Sequence, residues 1–246
     1  MDSHAQCIKE AEAMLRLHPV QNAYPLLRIS QGMVAECEVM DGAVRLLDAQ
    51  NGKYMYAADS FCALRALYER VSARSGPHIS LVTDARFLRE IPSLGQSIRV
   101  NAFHQLLATT HLQPEDLPGV TFTGITEASA DWILSVYEHP ELSRAFILER
   151  MKGPNMLALH HDTPVGFIMS HCDAELGPAY VSPDFRGSGL ATQLFAHIMR
   201  QFLAQGIRPV MFVTQENTRS LRWLERIGCN RTDENALWFW RDENNA

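Results

Sequence analysis

Apolar residues recur along the chain with two periodicities, and these predict its secondary structure. Spacings of three and four predict helices, and alternation or short apolar runs predict strands. In the first half they predict helices over 4–17, 60–74 and 84–90, and strands over 33–40, 43–47, 53–57, 78–82 and 98–109. Asp41-Gly42 and Asn51-Gly52 are typical of hairpin turns. We therefore expect residues 1–112 to form an N-terminal α/β lobe.

The segment Gln113–Gly119 has a composition typical of a linker, with Pro114 and Pro118, and it predicts a domain boundary. Beyond it the pattern predicts a strand over 120–125, helices over 131–137 and 141–151, strands over 156–160, 165–171 and 175–181, a helix from 190, a strand over 209–214, a helix over 218–227 and a strand over 237–240. We expect these elements to form a second domain, residues 119–246. No internal sequence repeat is evident.

A glycine-rich turn between Val181 and Thr192 joins the end of a predicted strand to the start of a helix. Arg186-Gly-Ser-Gly189 adds little side-chain bulk, and the helical pattern begins at Leu190. The first N–H groups of a helix have no intrahelical partner, and the helix dipole adds positive potential there. This stretch therefore predicts an anion site, with an ordinary glycine-rich turn as the alternative.

Two common nucleotide motifs fit this turn poorly. A Walker A loop requires Gly-Lys-[Ser/Thr], and a dinucleotide fingerprint requires a third glycine near Thr192. The spacing Arg186-x-x-Gly189-x-Ala191, together with the order of elements over 119–241, resembles the GNAT superfamily of acyl-CoA-dependent N-acyltransferases. The resemblance implies an α/β (α+β) GNAT fold, with a mixed central sheet flanked by helices and preceded by the smaller lobe. It also implies acetyl-CoA or another acyl-CoA as co-substrate, with its pyrophosphate held by Arg186, Gly187, Ser188, Gly189, Leu190, Ala191 and Thr192.

Pro178 interrupts the predicted strand 175–181 and therefore predicts a bulge, because proline cannot donate to a strand ladder. The GNAT resemblance implies that this strand diverges from the next one and admits the pantetheine arm. The backbone groups of Ala179, Tyr180 and Val181 would then bind the pantetheine amides.

The helix pattern from Asn217 to Cys229 resembles another GNAT signature. The resemblance implies that Asn217, Ser220 and Trp223 flank the coenzyme, although an Asn at this position can also be a simple N-cap. The tyrosine that protonates the leaving thiolate in many members falls on Leu224, which cannot donate a proton. Solvent or Tyr180 would have to take that role.

A narrower resemblance, to the glycine N-acyltransferase branch, covers Glu141-Leu-Ser-Arg-Ala-Phe-Ile147, Thr163-Pro-Val165 and Glu175. It implies that Glu175 is the general base. An ammonium nucleophile must lose a proton before it attacks a thioester, and a carboxylate beside the acyl carbonyl can accept that proton. A solvated glutamate after a turn is the alternative reading.

Composition narrows the classes of partner. The formal net charge is −6, which argues against nucleic acid or an anionic membrane as the main partner. The five cysteines are widely spaced and odd in number, so we expect a reducing, cytoplasmic compartment. We expect no metal site, because the adjacent His160 and His161 would point to opposite faces of a strand. The first ten residues match neither a signal nor a transit peptide.

The expected function is transfer of an acyl group, with acetyl favoured, from acyl-CoA to a primary amine of a small molecule or amino acid. Two alternatives remain open at this point. One is a non-catalytic acyl-CoA-binding or regulatory module, which the missing tyrosine favours. The other is a protein N-acetyltransferase.

Overall fold

The computed structural model describes residues 3–74, 78–108, 112–138, 142–171 and 174–241. Its helices are α1 (Ser3–Leu15), α2 (Ala23–Ser30), α3 (Phe61–Ser72), α4 (Glu127–Val136), α5 (Arg144–Arg150), α6 (Leu190–Ala204) and α7 (Thr218–Arg226). Its strands are β1 (Val34–Met40), β2 (Ala43–Asp48), β3 (Tyr54–Ala58), β4 (His78–Val82), β5 (Ile98–Ala108), β6 (Val120–Thr123), β7 (Asn155–His160), β8 (Thr163–Ser170), β9 (Leu176–Val181), β10 (Val210–Thr214) and β11 (Cys229–Arg241). Among the described residues, no helix combines the length and apolar character needed to cross a membrane.

The strands form two sheets. A seven-stranded sheet has the order β1-β2-β3-β4-β11-β5-β10, and a four-stranded sheet has the order β6-β7-β8-β9. The larger sheet is mixed, because β3 and β4 are parallel whereas β4 and β11 are antiparallel. This arrangement of a mixed sheet with flanking helices confirms the predicted fold class.

Two compact units make up the chain, and neither is continuous in sequence. The first comprises the chain up to Leu106, Phe212–Arg222 and the chain from Arg231. The second comprises Leu107–Met211 and Trp223–Asn230. The C-terminal segments, which the sequence analysis assigned to a domain spanning 119–246, therefore lie partly in the first unit. The reason is strand pairing, since Leu237–Arg241 of β11 pair with His78–Val82 of β4.

The first unit has its core between the sheet and α3. Tyr56 and Phe239 from the sheet pack with Leu64, Leu67 and Tyr68 of α3, and all five are nearly inaccessible to solvent. Helix α2 was absent from the sequence prediction, because its eight residues are few and Pro25 lies among them. Proline is tolerated in a first helical turn, where its missing N–H has no intrahelical acceptor.

The second unit packs helices on both faces of its four-stranded sheet. Ile133 of α4 and Ile147 of α5 join Phe167 of β8 in one buried cluster. On the other face, a Cβ at Gly166 would lie 3.1 Å from a Leu194 methyl carbon, so glycine permits the close approach of α6. Helix α5 begins at Arg144, with the Ser143 hydroxyl accepting from the Phe146 N–H. The predicted start of this helix at Glu141 lies outside the described residues.

The two units repeat the same succession of elements. Two helices precede an antiparallel three-stranded meander, then a helix and a strand that runs parallel to the third strand of the meander. In the first unit these are α1, α2, β1–β3, α3 and β4, with β3 parallel to β4. In the second they are α4, α5, β7–β9, α6 and the first two residues of β10, with a parallel bridge between Glu175 and Val210; the rest of β10 belongs to the first unit. The repeat lies in the strand pairing and not in the sequence.

Candidate functional site

The predicted anion loop connects β9 to α6 and has an open backbone. A short 3₁₀ turn covers Pro183–Phe185, and the φ angles of Gly187 and Gly189 are +83° and +89°. L-residues rarely adopt these values, so glycine is required at both positions for the chain to turn into the helix. A Cβ added at either glycine would meet nothing within 4 Å. The loop therefore leaves space in front of its backbone amides.

The N-terminus of α6 is held by the loop itself. Gly189 occupies the N-cap position, without a side-chain capping bond, and the hydroxyl of Ser188 accepts from the Leu190 N–H at 3.3 Å. The same hydroxyl donates to the Phe185 carbonyl at 2.7 Å, and Arg186 Nε donates to the Val181 carbonyl at 3.2 Å. These bonds fix the loop. After Leu190, the next N–H groups of α6 have no intrahelical acceptor, as at any helix N-terminus, and such groups can bind an anion.

Strand β9 presents an unpaired edge next to this loop. It is the terminal strand of its sheet, and the parallel bridge between Glu175 and Val210 lies just before it. The Ser182 N–H donates to the Val165 carbonyl at 2.8 Å. Along an antiparallel pair, the N–H and C=O groups of successive residues point alternately toward and away from the partner strand. Since the Ser182 N–H points toward β8, the N–H and C=O groups of Tyr180 also point toward β8, and those of Ala179 and Val181 point away from it.

The predicted bulge at Pro178 is present. The pairing of β8 with β9 shifts register between Ile168–Ala179 and Ser170–Leu176, and the Gly177–Pro178 peptide bond is cis. The β-bulge therefore contains Gly177 and Pro178, and regular pairing with β8 begins again at Ala179.

Glu175 directly precedes β9 and lies beside His171, which follows β8. The side chain of Glu175 is 15% exposed, and its Oε1 lies 4.0 Å from His171 Nε2. The His171 N–H donates to the Glu175 carbonyl at 2.7 Å, which closes the turn between the two strands. The Phe146 ring packs edge-on against the His171 ring at 6.1 Å. The sequence analysis did not connect His171 with Glu175, although the spacing of four residues across a turn is visible in the sequence.

Tyr180 packs on the helical face of β9. Its ring stacks on Phe167, the cross-strand partner, with centroids 6.1 Å apart, and it meets the Trp132 ring edge-on at the same distance. These two aromatic contacts fix the orientation of the Tyr180 ring.

Helix α7 divides the remaining predicted site residues between the two units. Asn217 and Ser220 lie in the first unit, where Asn217 Oδ1 accepts from the Ser220 N–H at 3.1 Å as an N-cap. Trp223 lies in the second unit, where its indole N–H donates to Thr192 Oγ1 at 3.3 Å. Leu224, at the position of the usual tyrosine, is 5% exposed.

The expectation that His160 and His161 diverge is wrong. Their ring centroids lie 4.2 Å apart, because His161 (φ +46°) and Asp162 (φ +64°) form a turn with left-handed backbone. The His160 ring also packs against Phe185 of the loop at 5.0 Å. Within the described ranges, no three His, Cys, Asp or Glu side chains are grouped as metal ligands. Cys172 lies outside the described residues.

Comparisons with known proteins agree with this geometry. Residues 123–229 match the model of the acetyltransferase (GNAT) family. A solved Drosophila protein is 16% identical, covers 99% of this chain and 98% of its own, and superposes with a TM-score of 0.72. No curated protein sequence matches the chain significantly.

Two bacterial structures also share the fold. A GCN5-related N-acetyltransferase from Kribbella flavida is 15% identical over 92% of this chain and 96% of its own, with a TM-score of 0.53. A GNAT-family protein from Novosphingobium aromaticivorans is 16% identical over 91% of this chain and 96% of its own, with a TM-score of 0.55. Residues 123–229 therefore resemble the acetyltransferase (GNAT) family, and the solved structures show that the chain shares their fold.

Proposed function

We propose that the chain transfers an acetyl group from acetyl-CoA to the primary amine of a small molecule or amino acid. The observation that carries the proposal is the open glycine loop at the N-terminus of α6. Gly187 and Gly189 have positive φ there, and a Cβ added at either glycine would meet no atom within 4 Å. An exposed helix N-terminus of this form suits the pyrophosphate of coenzyme A.

In this proposal the coenzyme lies along β9 and ends at the loop. Within the loop Arg186–Thr192, the N–H groups of Gly187, Gly189, Ala191 and Thr192 would hold the pyrophosphate, because those of Arg186, Ser188 and Leu190 already donate within the loop. The outward groups of Ala179 and the Val181 N–H would bind the pantetheine amides. Tyr180 contributes through its side chain, since its backbone groups face β8. The hydrogen bond from the Trp223 indole N–H orients the Thr192 side chain. Asn217 and Ser220 are coenzyme-binding residues by the sequence resemblance alone, and the proposal includes no metal.

Glu175 is the proposed general base. The neutral amine attacks the thioester carbonyl carbon, the bond between carbon and sulfur breaks, and CoA leaves as thiolate. The carboxylate of Glu175 accepts the proton that the amine loses, directly or through a water. Backbone amides polarise the carbonyl oxygen during the attack. The low exposure of Glu175 and its place beside the parallel bridge to β10 support this role.

The thiolate needs a proton from another source than the usual tyrosine. Leu224 is buried and apolar, so it takes no part in proton transfer. Tyr180 or solvent supplies that proton in the proposal. The glycine N-acyltransferase branch remains the narrower assignment, and the wide spacing of the cysteines supports a cytoplasmic setting.

The decisive experiment measures thiol release from acetyl-CoA with a panel of amines. The panel contains glycine, other amino acids, aliphatic amines and short peptides with free N-termini. We expect release that depends on one class of amine and yields the matching N-acetyl product by mass spectrometry. Acetyl-CoA binding without release from any amine would favour the non-catalytic module. Product only from peptides would favour a protein N-acetyltransferase.

A further inference from the structure

The first unit contains its own pocket, separate from the loop and from β9. The pocket has a volume of about 730 Å³. It lies beyond the carboxyl ends of β3 and β4, where it is lined by Ala58 and Asp59 on one side and Thr83 and Asp84 on the other. In open α/β sheets, ligands commonly bind in the crevice beyond the carboxyl ends of parallel strands.

Hydrogen bonds hold one wall of this pocket in place. The connection between α1 and α2 forms that wall, and Gln21 Nε2 donates to the Thr83 carbonyl at 2.7 Å. The Thr83 hydroxyl donates to Asn22 Oδ1 at 2.7 Å, and Gln105 Nε2 donates to the Val20 carbonyl at 2.9 Å. Thr83, Asn22 and Gln105 are at most 5% exposed. The wall is therefore preorganised, which lowers the entropic cost of binding.

The charge of the pocket is negative. Its lining contains the carboxylates of Asp59, Asp84 and Asp233 and one guanidinium, that of Arg86. Arg86 pairs with Asp84 at 2.6 Å. Asp59 and Asp233 have no ion-pair partner among the described residues. Leu17 and Val20, which are 74% and 54% exposed, supply apolar surface at the same pocket.

The corresponding turn of the second unit has the opposite chemistry. There a longer loop separates β9 from α6 and places Gly189 at the N-cap position, and the Ser188 hydroxyl accepts from the Leu190 N–H. In the first unit only Asp59 and Ser60 separate β3 from α3, and the Ser60 hydroxyl already accepts from the Ala63 N–H at 3.2 Å. The Asp59 carboxylate would also repel a phosphate. This pocket is thus unsuited to acyl-CoA.

We propose that the pocket of the first unit binds a small organic amine as its ammonium cation, with an apolar body. The carboxylates of Asp59 and Asp233 would take the ammonium group, and Leu17 and Val20 would cover the hydrocarbon part. The inference goes beyond the proposed acetyl transfer and does not depend on it, because binding is measured without acyl-CoA.

The test is calorimetric titration of the full chain with three probes of similar size. These are 2-phenylethylamine, the neutral 2-phenylethanol and the anionic phenylacetate, with hexylamine as a second amine. We expect the amines to bind, the alcohol to bind at least tenfold more weakly, and the anion not to bind. The affinity of the amines should fall as the salt concentration rises, since the carboxylates are accessible to solvent.

The paired variant Asp59→Asn/Asp233→Asn keeps side-chain shape and removes both charges. We expect it to weaken amine binding by roughly tenfold or more, since losing a charge-assisted hydrogen bond costs about that factor. Asp41→Asn is the matched control, because Asp41 is an exposed carboxylate in the neighbouring turn that does not line the pocket. Equal binding of all three probes, absence of binding by both amines, or full affinity in the paired variant would overturn the proposal. Circular dichroism verifies the fold of each variant.

Discussion

The indole N–H of Trp223 donates a hydrogen bond to Thr192 Oγ1 at 3.3 Å. This contact joins α7 to the first turn of α6, next to the glycine loop. The Trp223 ring also meets Phe195 of α6 edge-on, with centroids 5.8 Å apart. The indole N–H of Trp223 therefore has an acceptor within the protein. Through this bond Trp223 orients α6, whose N-terminus is the candidate anion site.

Trp223→Phe should keep the ring contact with Phe195 and lose only the hydrogen bond. We expect the free energy of unfolding to fall by about 0.5–1.5 kcal/mol, the usual net contribution of such a bond. Thr192→Val removes the same bond from the other side, so the double variant should lose little more than either single variant. Urea denaturation measures all three. Fully additive losses would contradict the assigned contact.

Gly189→Leu should abolish acetyl-CoA binding without unfolding the protein. The added side chain would enter the space in front of the helix, and the left-handed backbone would cost about 1–2 kcal/mol. Gly206→Leu is the matched control, because Gly206 follows the other end of α6 with φ +71° and equally open surroundings. Both variants should lose similar stability, and only Gly189→Leu should lose coenzyme affinity by calorimetry. Unchanged affinity in a folded Gly189→Leu protein would refute the loop assignment.

Glu175→Gln should retain acetyl-CoA affinity and lose turnover by roughly 10²–10⁴, the usual value of a general base. The defect should be largest near neutral pH and shrink at high pH, where more of the amine is already deprotonated. Glu149→Gln is the control, since Glu149 is a 57% exposed glutamate on α5. Turnover over a pH series with one accepted amine measures the effect. A deficit that stays constant with pH would indicate a binding or positioning role instead.

Arg28→Met should destabilise the first unit strongly. Arg28 and Asp48 form an ion pair whose side chains are 1% and 0% exposed, and it ties α2 to the end of β2. Removing the guanidinium leaves the carboxylate buried without its cation, which typically costs about 3–5 kcal/mol. Arg28→Met/Asp48→Leu should recover part of that loss in urea denaturation. A single-variant loss below about 1 kcal/mol would contradict the role of the pair.

His197 should make stability depend on pH. Burial lowers its pKa below the ordinary value of 6.5; Arg200 acts in the same direction, and Asp116 opposes them. Because the folded pKa lies below the unfolded one, this contribution is complete above about pH 6.5 and is lost as the pH falls toward the folded pKa. His197→Phe, which can still stack on Phe122, should flatten the loss of stability between pH 7 and 5. An unchanged slope in thermal unfolding would refute this.

The predicted order of helices and strands in the second half was largely right, because each buried element there has a regular apolar period. Strand β11 was predicted only over 237–240, whereas it extends over Cys229–Arg241. Its first half is polar, with Asn230, Arg231 and Asp233, so local pattern gave no strand signal. Its place in the first unit depends on pairing with β4, a contact between distant parts of the sequence. Such pairing has no local signature.

The candidate site was also predictable only in part. The loop from Arg186 to Gly189 has a local signature, because its geometry requires glycine at fixed positions. The neighbourhood of Glu175 and His171 depends on how two strand ends meet. The approach of the His160 and His161 rings depends on a left-handed turn at His161 and Asp162, which the strand pattern does not predict. Strand alternation, applied to these two histidines, gave the wrong answer for that reason.

The irregular step in β9 also has a consequence for solubility. An unpaired strand edge is a template on which a second chain can add a strand, the first event in sheet-mediated aggregation. Pro178 offers no N–H to such a partner, and the bulge leaves only Ala179–Val181 in regular geometry at that edge. Short edge strands are one of the features by which proteins avoid such pairing. The interruption at Pro178 therefore discourages the use of this edge by another copy of the protein.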